Sequence, residues 1–506
     1  MNRKLSIAAI LIGALAILGE LCGLQLPSVS WFFSMGPLMG WTSSTLLLLG
    51  GIAGSLWLPR EIRWTPVMLQ RFRRFGEIKR GLWSLRIIFA LIALALLDQA
   101  IVGRRALFVR CDGKTYFPAF VKKRHEAKEF GLRGEQEVNY RELKRKLAQD
   151  HRGFVIMPIV PWDQVLDSDT RESIKLVLRN GKWFAAGEKE PFSGRAQSYY
   201  ADVADAKHSD VRLRRGLPDG EWLGYAKDGA LAVSAAYQAG ERVRAKWTGE
   251  MPEAEFEKAA TTPLASAIYP PIPPMWEAGH YLGTDSKGWD VLAQIYGGWQ
   301  VNLKAILLFL AFTYGVGVTI GSLMGFLGGV FDLTMQRVIE IIDNLPFLYI
   351  VMIVVSIVTV AEMNLLILLG VICLFSWTNL TYPLRALAYK EKERDYVSAA
   401  RLQGAGTWRI LTRYLLPNML ATVVTYVPFS VAGIISSLTA LSFLGFGLPE
   451  TYASWGWLFD DGMNHLNALW ISVSMFIAMV FVLLLVTFVG EALREAFDPK
   501  KFTTYQ

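Results

Sequence analysis

Long uninterrupted apolar runs alternate with polar stretches along this 506-residue chain. A helix that crosses a bilayer needs about 20 predominantly apolar residues. Eight runs approach that length, at about 5–25, 42–58, 83–102, 302–327, 338–361, 364–385, 418–443 and 467–492. The first follows Arg3 and Lys4 but meets no small-x-small cleavage site, so it is read as a retained helix. One polar segment, 104–285, interrupts the series. Its strand-like patches are Ala106–Arg110, Phe154–Ile159 and Ile174–Leu178, with turn signals at Asp112-Gly113 and Asn180-Gly181. The charged stretch Asn139–Gln149 predicts a surface helix, and the proline-rich run from Tyr269 to Pro274 predicts a stiff connector. The pattern therefore predicts an all-α polytopic membrane protein of about eight transmembrane helices carrying a large α+β insertion.

Charge gives the pattern a direction. Arg60, Arg63, Arg71, Arg73, Arg74, Lys79 and Arg80 crowd between the second and third runs, and Lys390, Lys392, Arg394, Arg401, Arg409 and Arg413 between the sixth and seventh. Residues 27–41 carry no charge. Cytoplasmic loops collect Lys and Arg, so both termini are expected in the cytoplasm and 104–285 outside. Arg104 and Arg105, just past the third run, oppose this locally.

Composition narrows the chemistry. Hydrophobic residues make up 53% and charged residues 19%, below the roughly 25% of soluble chains. The net charge of +8 sits beside apolar runs, which argues against nucleic acid. Cys22, Cys111 and Cys373 give the polar segment no disulfide framework, and the five histidines lack metal-ligand spacing. Gly113-Lys114-Thr115 is no phosphate loop, because the glycine required five residues before Gly113 is Phe108.

The most informative stretch runs from Asp395 to Pro417. Ala399 and Ala400 favour helix and present little side chain to an approaching surface. Gly404 and Gly406 permit a break, bulky apolar and basic residues follow at helical spacing, and Pro417 opens the next run. An ordinary linker needs none of these offsets. The stretch resembles the Glu-Ala-Ala signature of ATP-binding-cassette (ABC) importer permeases: Ala399, Ala400, Gly404, Leu416 and Pro417 match, while Ser398 and Tyr414 replace Glu and Ile. The form Asp-Tyr-Val-x-Ala-Ala is similar to the peptide-importer branch. The resemblance implies that Tyr396, Ala399, Ala400, Gly404, Leu416 and Pro417 form a coupling helix seated on an ATPase subunit.

A second segment, Leu282–Gly297, resembles the outer turn of C-type dipeptide and oligopeptide permeases. Gly283, Thr284, Asp285, Gly288 and Asp290 match, with Trp289, Ala293 and Gln294 in place of Arg, Ser and Arg. Asp285 is expected to cap the following helix. Arg80–Leu85, Val109–Pro118, Leu441–Pro449 and Gly490–Pro499 resemble Yej-type permeases, over roughly 71–158 and 272–502.

This resemblance implies a six-helix permease core preceded by an extra two-helix hairpin. The expected divisions are a transmembrane hairpin (1–60), a basic cytoplasmic segment and first core helix (61–103), a periplasmic domain (104–285) and a permease core (286–506) with coupling loop 386–417. It implies a non-catalytic subunit of an inner-membrane importer moving peptides by alternating access. The implied partners are a second homologous permease, ATPase subunits, a periplasmic peptide-binding protein and membrane lipid. ATP and Mg would be bound by the ATPases and no cofactor by this chain. The other reading open at this point is a membrane-anchored enzyme or sensor acting through 104–285, although no nucleophile–base pair emerges there.

Within the apolar runs, Gly317, Gly321, Gly325 and Gly329 recur every fourth residue, which permits close packing of another helix. Ser436, Ser437 and Thr439 are polar in the seventh run. They either line a translocation path or bond their own backbone. Pro346 predicts a kink, and Asp343 is within reach of Arg337.

Overall fold

The computed structural model describes residues 2–21, 48–49, 52, 66–121, 123–130, 137–150, 152–165, 173–185, 191–200, 207–227, 230–248, 265–267, 271–276, 279–358 and 364–497. The expected second span, 42–58, lies almost wholly outside them. The chain divides into two compact units. Unit one holds residues 1–167, 274–283 and 289–506; unit two holds 168–273 and 284–288.

Unit one is mainly helical. In chain order its helices are α1 (Asn2–Leu21), α2 (Pro66–Glu77), α3 (Lys79–Leu96), α4 (Tyr140–Asp150), α5 (Val291–Leu327), α6 (Gly329–Asp343), α7 (Phe347–Ile357), α8 (Leu365–Lys392), α9 (Asp395–Leu402), α10 (Thr407–Ile410), α11 (Leu416–Phe443), α12 (Trp455–Asn464) and α13 (Leu469–Phe497). Among the described residues α5, α8, Thr422–Phe443 of α11 and α13 are long and apolar enough to cross a membrane. The pair α6 and α7 makes a fifth if counted as one span, bent by 68°.

That bend corrects the single helix expected over 338–361. Gly328 and Gly329 both have positive φ and end α5, and a second break falls at Asn344–Pro346. Proline lacks the N–H that continues a helix and forces the preceding residue out of the helical region. The third run also ends early, at Leu96, and passes into a 3-10 turn at Asp98–Ala100. Conversely, α5 starts eleven residues before its apolar run, at Val291 rather than 302.

The glycine stripe is confirmed for three positions and corrected for the fourth. A Cβ on Gly317 would crowd the Trp377 carbonyl and Leu380; on Gly321, the Thr381 carbonyl and Leu384; on Gly325, the Arg385 carbonyl and Ala388. One face of α5 thus lies directly on α8. Gly329 opens α6 with nothing beside it, so it is outside the seam.

Unit one also carries a three-stranded antiparallel sheet, ordered β2 (Lys114–Tyr116), β1 (Phe108–Cys111), β3 (Gly153–Ile156). α4 lays Tyr140, Leu143 and Leu147 over Val109, Cys111 and Val155. The expected surface helix is therefore amphipathic, with a buried stripe at i, i+3 and i+7 beneath its charges.

Unit two is an antiparallel sheet of eight strands, β4 (Ser173–Arg179), β5 (Lys182–Ala185), β6 (Gly194–Tyr199), β7 (Lys207–Arg214), β8 (Leu217–Tyr225), β9 (Leu231–Gln238), β10 (Glu241–Trp247) and β11 (Ala265–Ala267), ordered β10-β9-β8-β7-β6-β11-β4-β5. Its core gathers Leu176, Trp183, Phe192, Val211, Leu213 and Trp222. Tight hairpin turns need positive φ at both central residues. Asp112-Gly113 and Asn180-Gly181 supply it as expected; Arg215-Gly216 and Ala239-Gly240 do the same without the usual side chains.

Candidate functional site: a glycine-hinged elbow between two spans

The elbow joins α8 to α11. α8 ends on Lys390 and Lys392, and α9 follows after two residues. Gly404, at φ 76°, closes α9 in a Schellman motif: its N–H donates to the Arg401 carbonyl at 2.9 Å, and that of Ala405 to the Ala400 carbonyl at 3.0 Å. α10 then runs through a π-helical turn, Leu411–Leu415, into α11. Pro417 accounts for the widened turn, because its ring clashes with the carbonyl four residues earlier.

The elbow has two unlike faces. Inward, Val397, Ala400, Ile410, Leu411, Leu415 and Met419 form one core with Phe326 of α5 and Leu384 and Ala388 of α8. The Tyr396 hydroxyl donates to Glu391 Oε2 at 2.7 Å, pinning α9 to the end of α8. Burial, followed by that carboxylate, pushes the phenol up to about 12. Outward, Leu402 is 91% exposed and Trp408 64% exposed, one on each side of the glycine break.

The paired alanines divide between these faces. Ala399 is exposed, whereas Ala400 is buried in the core. Leu402 and Trp408 did not stand out in the sequence as site residues; bulky apolar side chains flanking a glycine break were their only signal. Ser436 lies 19 positions beyond Pro417, about 28 Å along α11 at 1.5 Å per residue. Ser436, Ser437 and Thr439 therefore do not join the elbow. Thr439 is buried, and its hydroxyl donates to the Ile435 carbonyl at 2.9 Å.

The outer turn residues fall in both units. In unit one, Gly283 has φ 78° and its carbonyl accepts from the Val291 N–H at 3.0 Å. The cap of α5 is Asp290, not Asp285: its Oδ1 accepts from the Ala293 N–H at 2.7 Å, and its Oδ2 contacts Nδ1 of the buried His280 at 2.8 Å. His280 stacks on Trp162 at 4.1 Å, with the Arg141 guanidinium 3.6 Å from the Trp162 ring centre. In unit two, Asp285 Oδ1 accepts from the Lys287 N–H at 2.9 Å, closing its own turn, which Gly288 continues at φ 83°. Buried Thr284 accepts from the Ile272 N–H at 2.8 Å.

One ion pair escaped the sequence reading. Arg337 pairs with Glu340 at 2.5 Å rather than with Asp343. The buried carboxylate of the bent region is Asp332, held by Arg385 at 2.5 and 2.6 Å and by the Tyr389 hydroxyl at 3.2 Å. This bidentate pair ties α6 to α8. Among the described residues no group of three His, Cys, Asp or Glu side chains is placed to hold a metal ion.

Several long apolar helices, two of them joined by such an elbow, define a multi-spanning membrane protein. Residues 317–503 match the family described as binding-protein-dependent transport system inner membrane component. The oligopeptide transport system permease protein OppC of Escherichia coli K12 is 35% identical over 228 residues, 45% of this chain and 74% of that protein. The inner membrane ABC transporter permease protein YejE of the same organism is 29% identical over 439 residues, 87% of this chain and 99% of its own length. The peptidoglycan transport system permease protein YejE of Agrobacterium fabrum is 40% identical over 222 residues, and the match spans 58% of its length. The chain belongs to the ABC transporter permease family of inner membrane components.

Proposed function

We propose that this chain is the inner-membrane permease subunit of an ATP-driven importer of peptides, coupled to its motor through the elbow. The observation that carries the proposal is the two-faced geometry at 395–417: an inner face rooted among α5, α8 and α11, and an outer face presenting Leu402 and Trp408. Exposed apolar anchors beside a glycine break suit a groove on an ATPase subunit. Closure of the ATPases on ATP favours one arrangement of the elbow and so of the spans, a population shift driven by differential binding. Tyr396, Ala400, Leu416 and Pro417 transmit that movement; Ala399 and Gly404 meet the partner.

Peptide is the substrate class that the name of the oligopeptide permease relative OppC supports. The remaining assembly is a second homologous permease, with ATP and Mg bound by the ATPases and a periplasmic binding protein delivering substrate. The Lys and Arg of the loops support both termini lying in the cytoplasm and 104–285 in the periplasm, with eight spans when α1, α3 and the segment 42–58 are counted. Ser436 and Ser437 are assigned to the path on polarity, whereas the bond from Thr439 to its own helix favours a packing role.

Gly404→Trp tests the coupling. Beyond its own chain neighbours nothing lies within 4 Å of a Cβ built at Gly404. Its φ of 76° strains any side chain, so Gly404→Trp is read against Gly404→Ala, which carries the same strain without the bulk. Gly404→Trp is expected to insert normally and lose peptide uptake and peptide-stimulated ATP hydrolysis in proteoliposomes. Normal transport by a correctly inserted variant would remove the coupling assignment.

A further inference from the structure

Arg104 and Arg105 stand on the side where the charge pattern disfavours them, and coupling to an ATPase gives them no purpose. They line a cavity of about 130 Å³ with Arg141, Glu137, Val138, Asn139 and Tyr140. Two guanidiniums meet one carboxylate, and a third arginine lines the cavity with them. Arg104 meets Glu137 Oε2 at 3.2 Å, and Arg105 meets Glu137 Oε1 at 3.0 Å. Arg141 is fixed by a 2.7 Å bond to the Pro161 carbonyl and by the Trp162 ring beneath it. Asn139 Oδ1 accepts from the Arg141 and Glu142 N–H groups at 3.1 and 3.4 Å, so the positive character comes from guanidiniums rather than from unsatisfied amides of α4.

The place of the cavity narrows its occupant. Arg104 follows the end of α3 by eight residues, and the last turn and exit of α3 expose the apolar Leu94 and Leu97. A guanidinium offers a planar fork that matches the oxygens of a phosphate, and pre-positioned arginines bind such groups strongly. We infer that this cavity binds a phosphate group, drawn from the headgroup of an anionic phospholipid beside α3 or from free phosphate. Glu137 holds the arginines in place and competes with the ligand. The site rests on the outward placement of 104–285 only for which leaflet supplies the lipid; binding in detergent does not depend on it.

The test uses the full chain purified in detergent, with phosphatidylglycerol and inorganic phosphate as separate probes. Native mass spectrometry is expected to show phosphatidylglycerol retained over phosphatidylcholine. Arg104→Gln, at a part-exposed position, should lower that retention at least fivefold. Glu137→Gln, which removes the competing carboxylate, should raise it at least twofold, a gain that misfolding does not produce. If calorimetry with inorganic phosphate follows the same order of variants while lipid retention stays constant, free phosphate is the ligand. If neither probe responds to either substitution, the inference is overturned.

Discussion

The two joints of unit one differ in what they leave uncovered. At the outer joint Asp290 caps α5 and holds His280, which stacks on Trp162 beneath Arg141, and the exposed Trp276 beside them packs edge-on against Tyr281. At the elbow the inner face is equally closed, yet Leu402 and Trp408 stand bare on the other side. Leaving two large apolar side chains in water forgoes about 1.5–3 kcal/mol of burial each. A joint built only to brace helices gains nothing from that exposure. The contrast separates a mounting, which closes on itself, from a contact surface, which closes only on a partner.

The sharpest way to break this contrast is to polarise the bare side chains. Leu402→Asp combined with Trp408→Asp removes two anchors, each worth about 2 kcal/mol or more when buried at an interface. Peptide uptake should fall roughly 100-fold, while thermal unfolding of the isolated subunit stays within a few degrees, because neither side chain supports the core. Retained uptake, or a large loss of stability, would place the elbow in the same class as the outer joint.

The opposite signature is expected at the outer joint. Asp290→Ala removes a helix cap worth about 1 kcal/mol and leaves His280 buried without its carboxylate, at a cost of about 1–3 kcal/mol. The subunit should lose about 2–4 kcal/mol of stability, read from thermal unfolding in detergent, by the sum of those two terms. Uptake per folded molecule should stay within twofold. Asp290→Asn keeps an oxygen for the cap and should recover most of the loss. A stable Asp290→Ala variant that fails to transport would mean that this joint moves with the cycle.

How far these joints are legible in the chain depends on whether their signal is local. The elbow is, because glycine, alanine and proline act on their own backbone: Gly404 closes α9 where its offset predicts, while Pro417, expected to open the next run, also widens the turn before it. The sequence points to Asp285 as the cap of α5, but Asp290 fills that role. Both are aspartates just before an apolar run, and only the true start of α5 at Val291 distinguishes them. That start was hidden because the first turns of α5 are polar or small, with Gln294, Gly297, Gly298 and Gln300 among them. Partnerships across helices left no local trace. Asp332 and Arg385 are 53 positions apart, so nothing near either residue in the chain points to the other. The hairpins divide in the same way: Asn180-Gly181 announces its turn, while Arg215-Gly216 relies on strands to either side to force Arg215 to φ 49°. Which face of an element meets water is set by its neighbours, so Leu402 and Trp408 were not legible as a pair.

The smallest expected effect sharpens the comparison, because it concerns the face on which the two joints agree. Tyr396→Phe deletes one hydroxyl and keeps the ring that packs beside Val397 and Ala400. The Tyr396 phenol, pushed up to about 12, stays protonated through the working pH range and donates to Glu391 throughout. In the variant Glu391 keeps Arg394, whose Nε lies 3.9 Å from Oε1, so the carboxylate is not left without a cation. A hydrogen bond to a charged acceptor contributes about 1.5–3 kcal/mol, and the remaining arginine should hold the loss near 1 kcal/mol. That is small beside the stability of a helical bundle but acts directly on the hinge between α8 and α9. The expected outcome is unchanged thermal stability within about 1 kcal/mol, and a rise in ATP hydrolysed per peptide imported as the elbow slips against α8. If the hydrolysis ratio is unchanged while stability falls by more, the inner face of the elbow is a mounting alone, and movement reaches the spans through α10 and α11.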